Sequence, residues 1–266
     1  MPPPSPLSAA TKARRRGERL ILKSAEGDSS SVSLLLAEGA SPTAHDSQAI
    51  VSAAERGHAQ CLDLLIQASA PEVRQCRALR RAAANGHARC IQLLLPVSDP
   101  KTWQSSALLE AARNGHPECV RILLPLSDPA AGGHLALFRA AEAGHAECVK
   151  ILMGASDPKS QGSRSLWAAA ANGHADCARL LLPLSSPLHA NPEPLLAAIG
   201  KGAASVVSAM ASFAPSIFEQ IDLAESISAA RRKGHDELAA LLLALHEGAE
   251  LSALDFPPRE SSRPRL

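Results

Sequence analysis

Six glycines at one interval decide most of what this chain can fold into. Gly57, Gly86, Gly115, Gly144, Gly173 and Gly202 fall 29 residues apart; Gly27 lies 30 before the first and Gly234 lies 32 after the last. Cys61, Cys90, Cys119, Cys148 and Cys177 keep the same step, and every glycine from Gly57 to Gly173, as well as Gly234, is followed by His. A period of this size belongs to a chain built from stacked supersecondary units. Each unit is too small to bury its apolar face alone and buries it against its neighbours.

Each unit reads as two short helices. The first carries Leu and then Ala-Ala, as in Ala107–Arg113 and Leu166–Ala171, and Asn-Gly follows in three units (Asn85-Gly86, Asn114-Gly115, Asn172-Gly173). Gly in that place closes a helix by taking the left-handed conformation. The second helix starts just past Gly-His and sets apolar residues at helical spacing, such as Cys119, Val120, Ile122 and Leu123. Its first turn is acidic in several units (Glu118, Glu147, Asp176), with a base three residues on (Arg121, Lys150, Arg179). That order suits the helix dipole and places i,i+3 pairs on a solvated face. Pro96, Pro125 and Pro183 follow Leu-Leu and should weaken or end the second helix. Ser-Asp-Pro (98–100, 127–129, 156–158) then turns the chain into the next unit.

Composition agrees with thin layers of packed helices. Hydrophobic residues make up 46% and charged residues 20% of the 266, but aromatics only 2%, so Leu and Ala must fill the interior. A net charge of +1 supplies no basic field for sequence-independent nucleic-acid binding. No stretch approaches 18 apolar residues, and Met1–Ala10 lacks the apolar run of a general secretory signal.

The pattern Leu…Ala-Ala-x-x-Gly-His-x-x-Cys/Val-x-x-Leu-Leu…Asp-Pro resembles the ankyrin repeat, and Gly39-Ala40-Ser41-Pro42 resembles that family's Gly-Ala-Asp-Pro loop. The resemblance covers roughly Arg19 to Leu251. It implies an all-α, ankyrin-type α-solenoid of about eight helix-turn-helix repeats, at about 18–42, 43–71, 72–100, 101–129, 130–158, 159–187, 188–216 and 217–251. The family period is about 33 residues, so these units are about four short, and the deficit maps to the β-hairpin fingers. Short turns are expected in their place. The family's Thr-Pro-Leu-His start is also replaced, for example by Ser106-Ala107-Leu108-Leu109. End units need polar caps; Lys23-Ser24, standing where inner units have Ala-Ala, and Arg231-Arg232-Lys233 fit that need. The seventh unit is degenerate (Gly200–Ala204). Residues 1–17 and 252–266, rich in Pro, Ser and Arg, read as disordered flanks of the 18–251 solenoid.

The recurring His and Cys, three residues apart, raise two chemical readings. A nucleophilic Cys needs an activating base and an orienting group in one cleft, and five copies of the pair argue against one such site. A tetrahedral zinc site needs four ligands; one unit offers two, and the next lies about 8–10 Å away, a helix-packing distance. The architectural reading places Cys at the small apolar position of the helix seam, which Val206 takes in the seventh unit, and His at the start of the second helix, bonding across the inter-helix turn. Catalytic, cofactor-binding and metal residues are therefore all set at none. Cys76 stands outside the series, in an expected turn, as the best candidate for an exposed thiol. Six thiols without a plausible framework favour a reducing, cytoplasmic environment.

The resemblance implies that function resides in non-consensus residues on the concave face and in the turns, with no reaction attached to the fold. The register assigns the position before Ala-Ala to Ser52, Arg81, Glu110 and Arg139. The two positions after it hold Glu55, Arg56, Arg113, Asn114 and Glu142, and the turns hold His45, Asp46, Arg74, Gln75, Trp103, Gln104, His134 and Gln161. Phe138 and Trp167 stand where the family's first-helix His usually stands, as groove or core residues. The partner-binding set is Arg81, Trp103, Glu110, Arg113, Asn114, Arg139, Glu142 and Trp167. The expected function is a non-enzymatic, monomeric scaffold that binds a protein on its concave face, with no small-molecule substrate. The short repeats also resemble ankyrin proteins of bacteria living with eukaryotic hosts, some of them effectors; the matching expectation is non-classical secretion into a host cell. Two alternatives stand beside it: a thiol hydrolase using a Cys–His pair, and a membrane or nucleic-acid tether through the basic run Lys12–Arg19.

Overall fold

The Ala-Ala-x-x-Gly-His signature is a helix stop with a defined hydrogen-bond pattern. In the computed structural model, which describes residues 9–69, 76–156, 160–184 and 192–255, the His87 N–H reaches the Ala82 carbonyl (2.9 Å) and the Gly86 N–H reaches the Ala83 carbonyl (3.4 Å). These are the two bonds of a Schellman ending, and Gly86 supplies the left-handed residue they require (φ 78°). The same pair of bonds recurs at His58, His116, His145 and His174.

Sixteen α-helices and no strand form among the described residues, in consecutive helix-turn-helix pairs. The pairs are α1 (Ala9–Glu26) with α2 (Ser29–Ala37), α3 (Ala44–Glu55) with α4 (Ala59–Gln67), and α5 (Cys76–Ala84) with α6 (Ala88–Leu94). Next come α7 (Thr102–Arg113) with α8 (Pro117–Leu123), α9 (Ala131–Ala143) with α10 (Ala146–Met153), and α11 (Ser160–Asn172) with α12 (Ala175–Leu181). The last are α13 (Glu193–Lys201) with α14 (Ala204–Phe213), and α15 (Leu223–Arg232) with α16 (Asp236–Asp255). The helices fall into two compact units, Met1–Gln161 and Gly162–Leu266. In the first, the leading helices stack in order α1, α3, α5, α7, α9, and the trailing helices α2, α4, α6, α8, α10 form a second layer behind them. In the second, α12, α14 and α16 stack as a trailing layer and α13 packs on α15. This is the helical solenoid expected from the repeat, and the connections described at 38–43, 98–101 and 127–130 are short turns where fingers would stand.

The core is the repeat's consensus. Leu79, Ala82, Ala83, Cys90, Ile91 and Leu94 are buried, and so are their counterparts Leu108, Ala111, Ala112, Cys119, Val120 and Leu123. Leu supplies the volume and Ala-Ala lets the leading helices approach. Behind Leu-Leu, the proline acts as expected: α6, α8 and α12 stop and a single 3-10 turn follows (Leu95–Val97, Leu124–Leu126, Leu182–Leu184). In the Ser-Asp-Pro turn the aspartate accepts the N–H two residues on (Asp99 from Lys101, Asp128 from Ala130, each 3.0 Å). The Ser105 hydroxyl then accepts the Asp128 N–H (2.8 Å), tying that turn to α7.

Several expectations need correction. The first helix starts at Ala9, so much of the 1–17 flank and the whole basic run Lys12–Arg19 are helical, and the last helix runs to Asp255 rather than stopping at 251. Ser24 is no polar cap: it is fully buried and its hydroxyl donates to the Leu20 carbonyl (2.7 Å). The cap is Asp28, which stands where inner units have His and accepts the Ser31 N–H at the start of α2 (3.0 Å). His45, Asp46, Trp103, Gln104, His134 and Gln161 lie within the bounds of leading helices rather than in connecting turns, although His45 to Ser47, Ser105 and His134 take left-handed backbone that breaks those helices near their start. Cys76 likewise opens α5. Arg74 and Gln75 lie outside the described residues.

Candidate functional site

The repeated Gly-His is an inter-unit clamp. In three units the ring Nε2 lies at hydrogen-bond distance from a backbone carbonyl of the preceding unit, and as the N–H tautomer it donates: His58 to Ala25 (3.0 Å), His87 to Glu55 (3.0 Å), His116 to Ala84 (3.1 Å). These carbonyls sit at helix C-termini, where a donor is needed. The same ring lies flat against the preceding unit's glycine. A Cβ on Gly86 would come within 2.6 Å of His116 Nδ1, and on Gly57 within 2.6 Å of His87 Nδ1. The histidine thus bonds to the neighbouring unit, not across its own inter-helix turn as the sequence suggested. Gly173 faces no such ring, because Ala203 stands in the histidine's place with its Cβ at an ordinary 3.6 Å.

The cysteine three residues on points the other way. Cys61, Cys90, Cys119, Cys148 and Cys177 are all buried, at most 1% exposed. Burial pushes the thiols of Cys90, Cys119 and Cys148 up to about 11, and it raises that of Cys61, with the Asp28 charge adding to the effect. A catalytic thiol needs the opposite shift and an exposed position. Each half of the Cys–His pair is committed to packing, and Val206, fully buried, replaces the thiol in the seventh unit as a space-filler should. No cluster of three or more metal-ligating side chains occurs among the described residues. Cys76 is half-buried, with its Sγ 3.3 Å from the Thr102 hydroxyl.

What remains variable gathers on the leading helices. Arg81 on α5, Glu110 on α7 and Arg139 on α9 hold one register position on helices that stack in sequence. Arg81 is exposed and Glu110 and Arg139 are half-buried. Arg81 lies 3.7 Å from Glu55 of α3, which shows that the position before Ala-Ala in one unit meets the position after it in the unit before. Arg139 holds Glu142 at 2.6 Å and lies over the Phe138 ring, 5.4 Å from its centre. Arg113 and Asn114 are exposed where α7 ends, and the Asn114 amide donates to the Glu110 carbonyl (2.9 Å), so this asparagine serves as a cap. Trp103 lies in the first turn of α7, ahead of the left-handed Ser105. Trp167, in the second unit, is 42% exposed, whereas Phe138 is 7% exposed and belongs to the core. The Asp46–Arg77 pair (3.7 Å) escaped sequence reasoning because its partners lie in different units and outside the consensus.

On the trailing layer the expected i,i+3 pairs form at Glu118–Arg121 (3.3 Å) and Asp176–Arg179 (2.7 Å). Arg121 also reaches Glu147 of the next unit (2.7 Å), which period-based reading could not have foreseen. All are exposed and worth tenths of a kcal/mol. In the basic run, Arg16 is a structural residue that donates to the Glu38 carbonyl at the end of α2, and Arg14 pairs with Glu18 (2.9 Å). No helix among the described residues is long and apolar enough to cross a membrane.

Comparison with known proteins agrees with this geometry. The family described as "Ankyrin repeats (3 copies)" matches residues 20–102, 79–162 and 108–193, together well over half of the chain. Among solved structures, the human ASB11 ankyrin repeat domain is similar at 25% identity and a TM-score of 0.55, over 64% of this chain and 84% of that one. No curated protein matches the sequence.

Proposed function

The chain belongs to the ankyrin-repeat family, whose repeats generally serve as protein–protein interaction modules, and from that premise we propose a non-enzymatic scaffold that holds a partner protein against the concave face of its leading helices. One observation carries the reading: Arg81, Glu110 and Arg139 vary in sign along one row of stacked helices, while the Ala-Ala that follows each of them is buried. A preformed row of this kind captures a partner with little ordering cost. Alternating Arg and Glu suit a protein surface rather than a phosphate backbone. Arg113, Asn114 and Glu142 extend the row by one turn; Trp103, by its place in the sequence, and, within the second unit by itself, the exposed Trp167 are aromatic candidates of the kind interfaces favour.

A monomeric scaffold belongs to the same reading, and its placement in a reducing compartment is supported by six cysteines with no plausible disulfide framework. Delivery into a host cell has the resemblance of the short repeats as its sole support, and failure of residues 1–18 to direct export of a reporter would remove its N-terminal version. The main test is affinity capture with mass spectrometry, comparing the intact protein with an Arg81→Ala, Trp103→Ala, Arg139→Ala variant whose circular dichroism is unchanged. A partner kept by the first and lost by the second supports the reading. The same partners on both proteins overturn it.

A further inference from the structure

The interval between Gly202 and Gly234 is three residues longer than the repeat, and the excess sits in a 3-10 helix, Pro215–Gln220, whose Ile217 and Phe218 are buried. Between α13 and α15 lies an open cleft of about 430 Å³. Its apolar lining is Leu196, Ile199, Ile221 and Ala229, and Leu196 is 46% exposed. One end is acidic, formed by Asp222 and Glu225 at the start of α15. The carbonyl of Gly200, another lining residue, accepts the Lys233 ammonium (3.2 Å). An exposed leucine over a hollow with charges of one sign at its mouth is a seat for an apolar side chain followed by cations.

We propose that the seat is filled by this chain's own residues 256–266, with Phe256 in the apolar hollow and the arginines beyond it on Asp222 and Glu225. Length and direction support this occupant. The turn from α15 to α16 is three residues long (233–235), so the two helices run antiparallel. At 1.5 Å per residue, the 10 residues of α15 span about 15 Å and the 20 of α16 about 30 Å. Helix α16 therefore ends about 15 Å beyond the start of α15, on the acidic side of the cleft, and the segment after it must turn back to reach the mouth. From Asp255 the next eleven residues reach up to about 36 Å when extended, more than twice the length of α15. They open with Phe256-Pro257-Pro258-Arg259 and carry three arginines against one glutamate. Docked there, the segment covers one end of the leading-helix face in the second unit.

The experiment uses the full chain with Arg263→Lys, which keeps the charge and adds an amine, treated with a zero-length carbodiimide and read by peptide mass spectrometry. The proposal expects a link from position 263 to the peptide carrying Asp222 and Glu225, at a yield independent of protein concentration. Adding Phe256→Ser, outside every described helix, should lower that yield about tenfold, in proportion to the worth of one largely buried Phe. Leu196→Ser, at an exposed position, should do the same without changing the circular dichroism. Links confined to Glu247 or Asp255 at the segment's root, links scattered over acidic residues of 9–161, or an undiminished yield with Phe256→Ser would each overturn it. A yield rising with concentration would overturn it too, by assigning the seat to a second copy. None of these readouts depends on the partner capture described above.

Discussion

The clamp between Gly86 and His116 can be separated into its parts by substitution. Replacing Gly86 with Ala forces an L-residue into φ 78°, at about 1–2 kcal/mol. It also sets a Cβ within 2.6 Å of His116 Nδ1, so the ring must leave, and its 3.1 Å bond to the Ala84 carbonyl goes with it. That second loss is worth about 1–2 kcal/mol, a hydrogen bond plus a stranded carbonyl. The sum is about 3 kcal/mol. With His116→Ala already in place the ring is absent, and Gly86→Ala should then cost only its backbone part. A double-mutant cycle should return a coupling of about 1–2 kcal/mol. Urea unfolding followed by circular dichroism gives the global term, and hydrogen exchange across residues 78–94 gives the local one, since neighbouring repeats need not unfold together. Gly173→Ala is the internal control, because Gly173 has the same left-handed backbone (φ 79°) and a Cβ there would meet Ala203 Cβ and Lys201 Cγ at ordinary distances of 3.6 and 4.0 Å. Equal costs at Gly86 and Gly173, or a coupling of zero, would refute the clamp and reduce the Gly-His signature to a helix stop.

The missing clamp at the seventh unit can be installed: Ala203→His should reach the Ala171 carbonyl by register and stabilise the second unit by about 0.5–1.5 kcal/mol, read as a rise in Tm, and no rise would show that the junction cannot seat the ring. Native Cys76 should react with a disulfide reagent well before the other five thiols, which should react only on unfolding; fast labelling of any repeat cysteine would contradict their burial. Because folding raises the thiols of Cys90, Cys119 and Cys148 to about 11 from an ordinary 9.0, their contribution is complete below pH 9 and is lost as pH rises through 11, so urea midpoints should fall across that window. A Cys90→Val, Cys119→Val, Cys148→Val variant should flatten the fall. Phe138→Ala should cost about 3–5 kcal/mol while Trp167→Ala should cost below about 1 kcal/mol, which chemical denaturation would distinguish.

Sequence alone reached furthest where one residue type has one physical job in every unit. Gly, Ala-Ala, Leu-Leu-Pro and Ser-Asp-Pro each set a local backbone event, so spacing read the helix pairs, the helix stops and the buried cysteines directly. It failed where the decisive contact crosses units. His116 and Ala84 are 32 residues apart, Arg121 and Glu147 26, and a single unit read alone contains neither partner. The period reports that neighbours exist, not which atoms of them meet. Trp103 shows a second kind of failure. Its Ser-Asp-Pro-Lys context signals a turn, but the turn ends sooner and the helix takes over at Thr102, with the irregularity postponed to the left-handed Ser105.

The same reasoning separates architecture from recognition at the candidate site. A residue that recurs at 29-residue steps is doing what every junction needs, and Gly-His and Cys are therefore poor markers of a partner however chemically suggestive they look. Departures from the repeat carry the information, and they divide by cause. Asp28 departs from His and caps α2, accepting the Ser31 N–H. Ala203 departs and leaves a junction without its hydrogen bond. Arg81, Glu110 and Arg139 depart from one another with no such structural cause: none fills the core, and Arg81 and Arg139 meet the carboxylates of Glu55 and Glu142 and the face of Phe138. Exposed ion pairs of that kind stabilise a fold very little. Residues that stability does not require are the ones free to be chosen by a partner, which is why the row on α5, α7 and α9 is the surface to test.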